Sequence, residues 1–178
     1  MTPEFRSTAP DQFEYAPYYG KYITAISHGD ILTTLSDQVS DARALFSGLS
    51  DEQAMYSYAP EKWNIKEILG HVIDAERVFA YRALRIARAD RTALASFEHD
   101  DYVKVAKFSQ RPLPVLLTEF EHVRAASVDL FTHLDDEAWS RKGTASGFAV
   151  SVRALAWIIA GHELHHRRII QARYLKSQ

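Results

Sequence analysis

A chain of 178 residues suits one domain built around a single core, and residues 1–178 are read as that domain. With 21 basic against 23 acidic residues the net charge is -2, so the basic surplus that phosphate binding needs is missing and nucleic acid is not expected as a partner. The absence of cysteine excludes disulfides, a thiolate nucleophile and thiolate ligands, so any metal here is held by nitrogen and oxygen.

Residues 1–20, rich in proline and tyrosine, read as an extended arm lying on the body. They hold no apolar run of signal-peptide length, and no later stretch reaches the ~20 apolar residues of a membrane-spanning helix. The chain is therefore expected to be cytoplasmic, with no membrane partner. Ile31, Leu35, Val39, Ala42 and Phe46 recur at intervals of three and four, predicting a helix from about Ile26 to Phe46 with Gly48 as its stop. A second helix is expected from Asn64, its cap, with Glu67 in capping-box position. Ile65, Ile68, Leu69, Val72, Phe79 and Leu84 mark its buried face, and it ends near Ala89.

Residues 90–110 are mixed and polar and predict an irregular stretch anchored by Phe97, Tyr102, Val105 and Phe108; its 97–102 portion is placed to line the mouth of a site. A third helix follows Arg111-Pro112-Leu113-Pro114, with Leu116, Leu117, Phe120, Val123, Ala126, Leu130 and Phe131 as its stripe. Asp135 to Trp139 suggests one short turn, Thr144 to Gly147 another. A fourth helix runs from Val152 to about Tyr174 behind Ser151 as cap. Four long helical periods and no alternating strand predict an all-α, antiparallel four-helix bundle, with its topology open.

The chemistry concentrates in Gly161-His162-Glu163-Leu164-His165-His166. Positions four apart lie about 40° apart around a helix, so His162 and His166 project side by side, in register with the apolar stripe of Leu155, Ile158, Ile159 and Ile169. Two inward imidazoles one turn apart chelate a divalent transition metal. The pair His162 and His165, three apart, can also chelate, and helix phase alone does not choose between His165 and His166. The best third donor is His71, in the middle of the second helix beside Ile68, Val72 and Ala75. Histidines and arginines near a helix C-terminus also complement its dipole, which accounts for His165, Arg167 and Arg168 but not for His162 on the buried stripe. The same segment matches the H-E-x-x-H signature of zinc peptidases, yet the 12 residues after His166 contain no His, Glu or Asp to supply their third ligand. Glu163 and Asp74 are the candidates for a general base. Glu76 is a further carboxylate near His71, and Arg82 and Arg85 could take an anionic substrate; an ordinary solvated helix face explains Asp74, Glu76, Arg82 and Arg85 more simply. His99 stands in no helical register with the others.

The run Lys62-Trp63-Asn64-Ile65-Lys66-Glu67-Ile68-Leu69-Gly70-His71, followed by Asp74, Glu76 and Arg77 and then by His162-Glu163-Leu164-His165-His166, resembles the DinB-like (YfiT-like) metal-dependent hydrolases over nearly the whole chain. The resemblance implies a four-helix bundle holding a divalent metal, nickel or zinc first and iron or manganese after them. It assigns the ligands to His71, His162 and His166 and leaves His165 outside the set. It also implies a small-molecule substrate, with relatives that use low-molecular-weight thiols for transfer or isomerisation, and a homodimer. The expected activity is a metal-dependent hydrolase or thiol-dependent S-transferase or isomerase; the alternative is a non-catalytic, metal-binding stress-response bundle.

Overall fold

The computed structural model describes residues 4–27 and 29–175. In chain order its elements are α1 (Glu4–Ser7), α2 (Gly20–Ile23), α3 (Ile31–Phe46), α4 (Asp51–Met55), α5 (Ile65–Ala87), α6 (His99–Ala106), α7 (Leu113–Thr132), α8 (Asp136–Ser140), the hairpin strands β1 (Lys142–Ala145) and β2 (Phe148–Ser151), and α9 (Val152–Ile169). A π-helical turn, Ile170–Tyr174, continues α9.

The helix starts follow from their caps. The Asn64 side chain accepts from the Glu67 amide (3.0 Å) while the Glu67 carboxylate accepts from the Asn64 amide (2.9 Å), the reciprocal box expected for α5. Ser151 Oγ accepts from the Ala154 amide at 3.0 Å and opens α9.

The four long helices form the expected bundle, in which α3 and α5 each pack against both α7 and α9. The first two of these four, α3 and α5, and the last two, α7 and α9, therefore lie across the bundle from one another, whereas α5 and α7 are neighbours. The long connections 47–64 and 133–151 are what this arrangement requires. Along its length the interior is divided. One apolar cluster gathers Leu35, Phe79, Phe131, Trp139 and Trp157; another gathers Phe46, Ile68, Phe108, Phe120 and Ile170. Burial of such side chains contributes roughly 1.5–3 kcal/mol each. Between the clusters lies a buried polar layer of Gln38, His71, Glu76, Arg124, His162 and Glu163.

Several expectations are corrected. The described part of the arm is not extended: it winds through α1, two 3-10 turns (Gln12–Glu14 and Pro17–Tyr19) and α2. Residues 1–3 lie outside the described residues. The 90–110 stretch contains α6 and a 3-10 turn, Phe108–Gln110, separated at Lys107, whose φ of 53° stops the helix. On α7 the buried face runs through Phe120, Arg124, Ser127 and Phe131, and Ala126 faces outward, because two polar residues occupy stripe positions. On α5 Arg82 is buried where Leu84 was expected, and Leu84 is 38% exposed. The Thr144–Gly147 turn belongs to a hairpin: Ala145 pairs with Phe148, and both Ser146 and Gly147 take positive φ, the backbone of a two-residue hairpin turn. Leu94 bonds to this hairpin through Thr144 O and the Ser146 amide, both at 2.9 Å, which carries Phe97 and Ser146 to one end of the bundle.

Candidate metal centre

Two glycine–histidine dipeptides set the position of the site. A Cβ on Gly70 would stand 2.2 Å from the Phe108 ring, and one on Gly161 would stand 2.2 Å from the Tyr22 carbonyl oxygen. Neither glycine needs unusual torsions; each permits a close approach. Thus α5 receives the aromatic anchor that follows α6, and α9 receives α2, immediately before His71 and His162 respectively.

His71 on α5 and His162 and His166 on α9 point at one another. His71 Nε2 lies 3.0 Å from His162 Nε2, and His166 Nε2 lies 3.2 Å from the same atom. The three donor atoms all fall within 4.8 Å of one another. Two nitrogens each about 2.1 Å from a single ion, at right or tetrahedral angles, stand about 3.0–3.4 Å apart. The spacing about His162 therefore fits a shared divalent ion, and an all-imidazole donor set suits nickel or zinc. Burial also keeps these rings in their neutral, ligating form. It draws the His71 pKa down to about 4, with His99 adding repulsion, and the His166 pKa to about 2, with His71 and other neighbours adding theirs. His162, the most deeply placed, is held well below the ordinary imidazole range by burial and then by His166 and His71.

The cluster forms the floor of a cavity of about 250 Å³. Trp63 packs on His71 with ring centroids 4.8 Å apart and is fixed by the Tyr174 hydroxyl, which donates to its carbonyl at 2.7 Å. Phe79 and Phe97 form a further apolar wall, and Tyr18, Tyr19, Lys21 and Tyr22 come from the N-terminal arm. The arm's contribution was missed in the sequence; its only trace is the cluster of tyrosines. His99, given no register with the other histidines, opens α6 at the cavity edge with its ring 5.5 Å from His71.

The remaining candidates separate cleanly. His165 leans on Tyr22, ring centroids 5.3 Å apart, and does not join the three converging nitrogens. Glu163 points to the other side of α9: it accepts from Arg167 at 3.0 Å, and its second carboxylate oxygen has no hydrogen-bond partner among the described residues. Burial lifts its pKa to about 7, against the pull of Arg167 and Arg124. It lines a separate void of about 10 Å³, a poor location for a base serving the main cavity. Asp74 faces Arg77 (3.4 Å) and does not line the cavity. Glu76 is locked against Arg124 at 2.8 and 2.9 Å, which corrects its reading as a solvated or ligand-orienting carboxylate. Arg85 pairs with Asp90 near the surface, whereas Arg82 is buried.

A family model described as the DinB superfamily matches residues 34–170. A Geobacillus kaustophilus protein, assigned provisionally by name to the metal-dependent hydrolases, is 28% identical over 161 residues, covering 89% of this chain and 84% of that one. Among solved structures, YfiT from Bacillus subtilis, described as a "probable metal-dependent hydrolase with an unusual four-helix bundle topology", superposes with a TM-score of 0.74 at 14% identity, covering 89% of this chain and 90% of YfiT. The mycothiol-dependent maleylpyruvate isomerase superposes with a TM-score of 0.64 at 17% identity over 78% of this chain, and the match spans 58% of the isomerase. Both structural likenesses concern the fold.

Proposed function

This chain belongs to the DinB superfamily, and on that footing we propose that it is a divalent-metal-dependent enzyme acting on a small molecule, with His71, His162 and His166 as the ligands. The observation that carries the reading is the convergence of three neutral imidazole nitrogens on the floor of an accessible cavity. A closed structural site surrounds its ion with protein donors, whereas three ligands facing a cavity leave a position for substrate. That is the ground for preferring an enzyme to a non-catalytic metal-binding bundle.

A divalent ion held there supplies Lewis acidity, lowering the pKa of a water or thiol and polarising a substrate oxygen. The chain's own residues do the rest. Trp63, Phe79 and Phe97 give the cavity apolar walls that limit water, and Tyr18, Tyr19 and Tyr22 of the arm add to its lining, Tyr22 packing on the His162 ring at 5.3 Å between centroids. Neither Glu163 nor Asp74 is placed to move a proton in this space. His165 and His99, both lining the cavity, are the bases within reach.

Hydrolase and thiol-dependent transferase or isomerase are the two activities to separate, the thiol being considered because a mycothiol-dependent isomerase shares the fold. Metal analysis of the purified protein should give about one nickel or zinc per chain; a metal-free protein that takes up neither ion would sink the proposal. Metal-loaded protein should then be assayed on activated esters and soft electrophiles, with and without a panel of small thiols. Turnover only with thiol identifies a transferase or isomerase, turnover without it a hydrolase, and no turnover with either favours the non-catalytic bundle. We also take residues 1–178 as one domain working as a homodimer, which sedimentation analysis tests. Among the described residues no helix is long and apolar enough to cross a membrane.

A further inference from the structure

Two arginines are buried among the described residues, and they differ in one respect. Arg124, fully buried, faces the Glu76 carboxylate. Arg82, 3% exposed, has no carboxylate within ion-pair distance among the described residues. Its guanidinium donates to the Ala95 carbonyl at 2.7 Å and to Ser146 Oγ at 3.0 Å. Its central carbon lies 5.9 Å from the Phe79 ring centroid and 5.8 Å from that of Phe97, and the Tyr19 phenol stands within its field. Neutral oxygens and ring faces solvate a guanidinium but do not neutralise it, and a buried charge without a counter-charge is costly.

Ser146, Phe79, Phe97 and Tyr19, the groups around Arg82, all line the histidine cavity. Among the described residues no Asp or Glu lines it, although the chain carries 23 acidic residues. Lys21 stands at the same cavity, over the Tyr18 ring at 4.4 Å, and no carboxylate pairs with it among the described residues. The missing counter-charge thus falls where a ligand would lie, on the side of the cavity that Ser146 and Tyr19 line.

We infer that Arg82 is a specificity-determining residue, and that the cavity takes a small, planar, unsaturated or aromatic anion whose carboxylate bonds to Ser146 Oγ and the Tyr19 hydroxyl with the Arg82 guanidinium behind them. The apolar walls of Phe79, Phe97 and Trp63 accept the body of the molecule, and the histidines face its opposite end. This deepens the proposed function and rests on this cavity being the substrate site, but it does not require the ion.

Benzoate and benzamide, equal in shape and different in charge, serve as probes, titrated calorimetrically into chelator-treated protein. Benzoate should bind at least about tenfold more tightly than benzamide, and that preference should vanish in Arg82→Gln while benzamide affinity is kept. Ser146→Ala, which leaves the guanidinium in place, should weaken benzoate several-fold and serves if Arg82→Gln does not fold. Equal binding of the two probes, no benzoate binding, a preference that survives in Arg82→Gln or, where that variant does not fold, a preference undiminished in Ser146→Ala overturns the inference. Because metal is absent throughout, failure of the metal site would appear separately, in the metal analysis of the untreated protein.

Discussion

The polar layer that divides the bundle contains two clusters of opposite design. On one side Arg124 of α7 gives the Nε–Nη2 edge of its guanidinium to Glu76 of α5 at 2.8 and 2.9 Å and donates from Nη1 to Leu35 O (2.9 Å) and Gln38 Oε1 (2.8 Å) of α3. Gln38 passes the chain on to Ala160 O of α9 at 2.8 Å. All four long helices are joined, and every charge has a partner. On the other side His71, His162 and His166 aim three nitrogens at one point and leave it open to a cavity. A satisfied network specifies how helices meet. An assembly of like donors gains its partner from outside. Burial alone does not distinguish the two; the accounting of partners does.

That contrast is broken most severely at the sealed cluster. Arg124→Met leaves Glu76 buried without a counter-charge and should destabilise the protein by roughly 3–5 kcal/mol in chemical denaturation. The double variant with Glu76→Leu removes both charges and should recover most of the loss, while metal stoichiometry stays unchanged in any variant that folds. A double variant as unstable as the single one would show that the ion pair contributes more than mutual neutralisation.

The open cluster should respond in the reverse way. His162→Ala should lower metal affinity by at least about 100-fold, of the order of 3 kcal/mol, with little loss in the stability of the metal-free fold. His166→Ala should behave similarly and His165→Ala should not. Equal losses in the last two, measured by competition with a chelator, would reassign the third ligand. A smaller effect is expected at the glycines that set the site. Gly161→Ala drives a methyl group into the Tyr22 carbonyl and should cost about 1–3 kcal/mol, displacing the arm and widening the cavity. Gly70→Ala presses on the Phe108 ring, which can shift more readily than backbone, so its cost should fall at the lower end of that range.

The two clusters were unequally legible in the sequence, and for physical reasons. His162 betrayed itself as a polar residue on an apolar stripe, and helix phase brought His71 close; the choice of His166 over His165 came only through family resemblance, and the convergence of Nε2 atoms favours it. The caps at Asn64 and Ser151 are short-range and were readable. The sealed cluster was not. Gln38, Glu76 and Arg124 occupy buried stripe positions, but hydropathy assigns such residues to solvent, and their partners lie 48 to 122 residues away in the chain. Arg82 was named as a group for an anion, but its burial was hidden in the same way. The hairpin strands have four residues each and largely exposed faces, too short for an alternation to register. Short helices such as α6 likewise carry too few turns to show a period.

The last difference between the clusters is their response to acid, and it is the smallest per residue. In the metal-free protein burial holds His71 near a pKa of about 4 and His166 near about 2, against about 6.5 for an unfolded histidine. Below pH 6.5 the unfolded chain takes up protons that the folded chain refuses, so stability falls as pH falls, through about 4 for His71 and on towards about 2 for His166. Above pH 6.5 both states are neutral at these rings and the contribution is constant. Glu163 acts in the opposite sense, since its pKa of about 7 lets the folded state keep a proton that the unfolded carboxyl loses above about 4.5. Each histidine adds at most about 1.4 kcal/mol per pH unit to the slope. Replacing His166 with Gln should therefore flatten the fall between pH 6 and 4 by up to that amount in denaturation curves of chelator-treated protein, and replacing Glu163 with Gln should steepen it. Bound metal sharpens the test: well above pH 4 the rings are neutral in the folded protein with or without the ion and the two slopes should coincide, whereas below about 4, where metal-free His71 begins to take up a proton, the metal-loaded protein should lose stability more steeply. A slope that stays identical below about pH 4 would separate the ion from these three histidines.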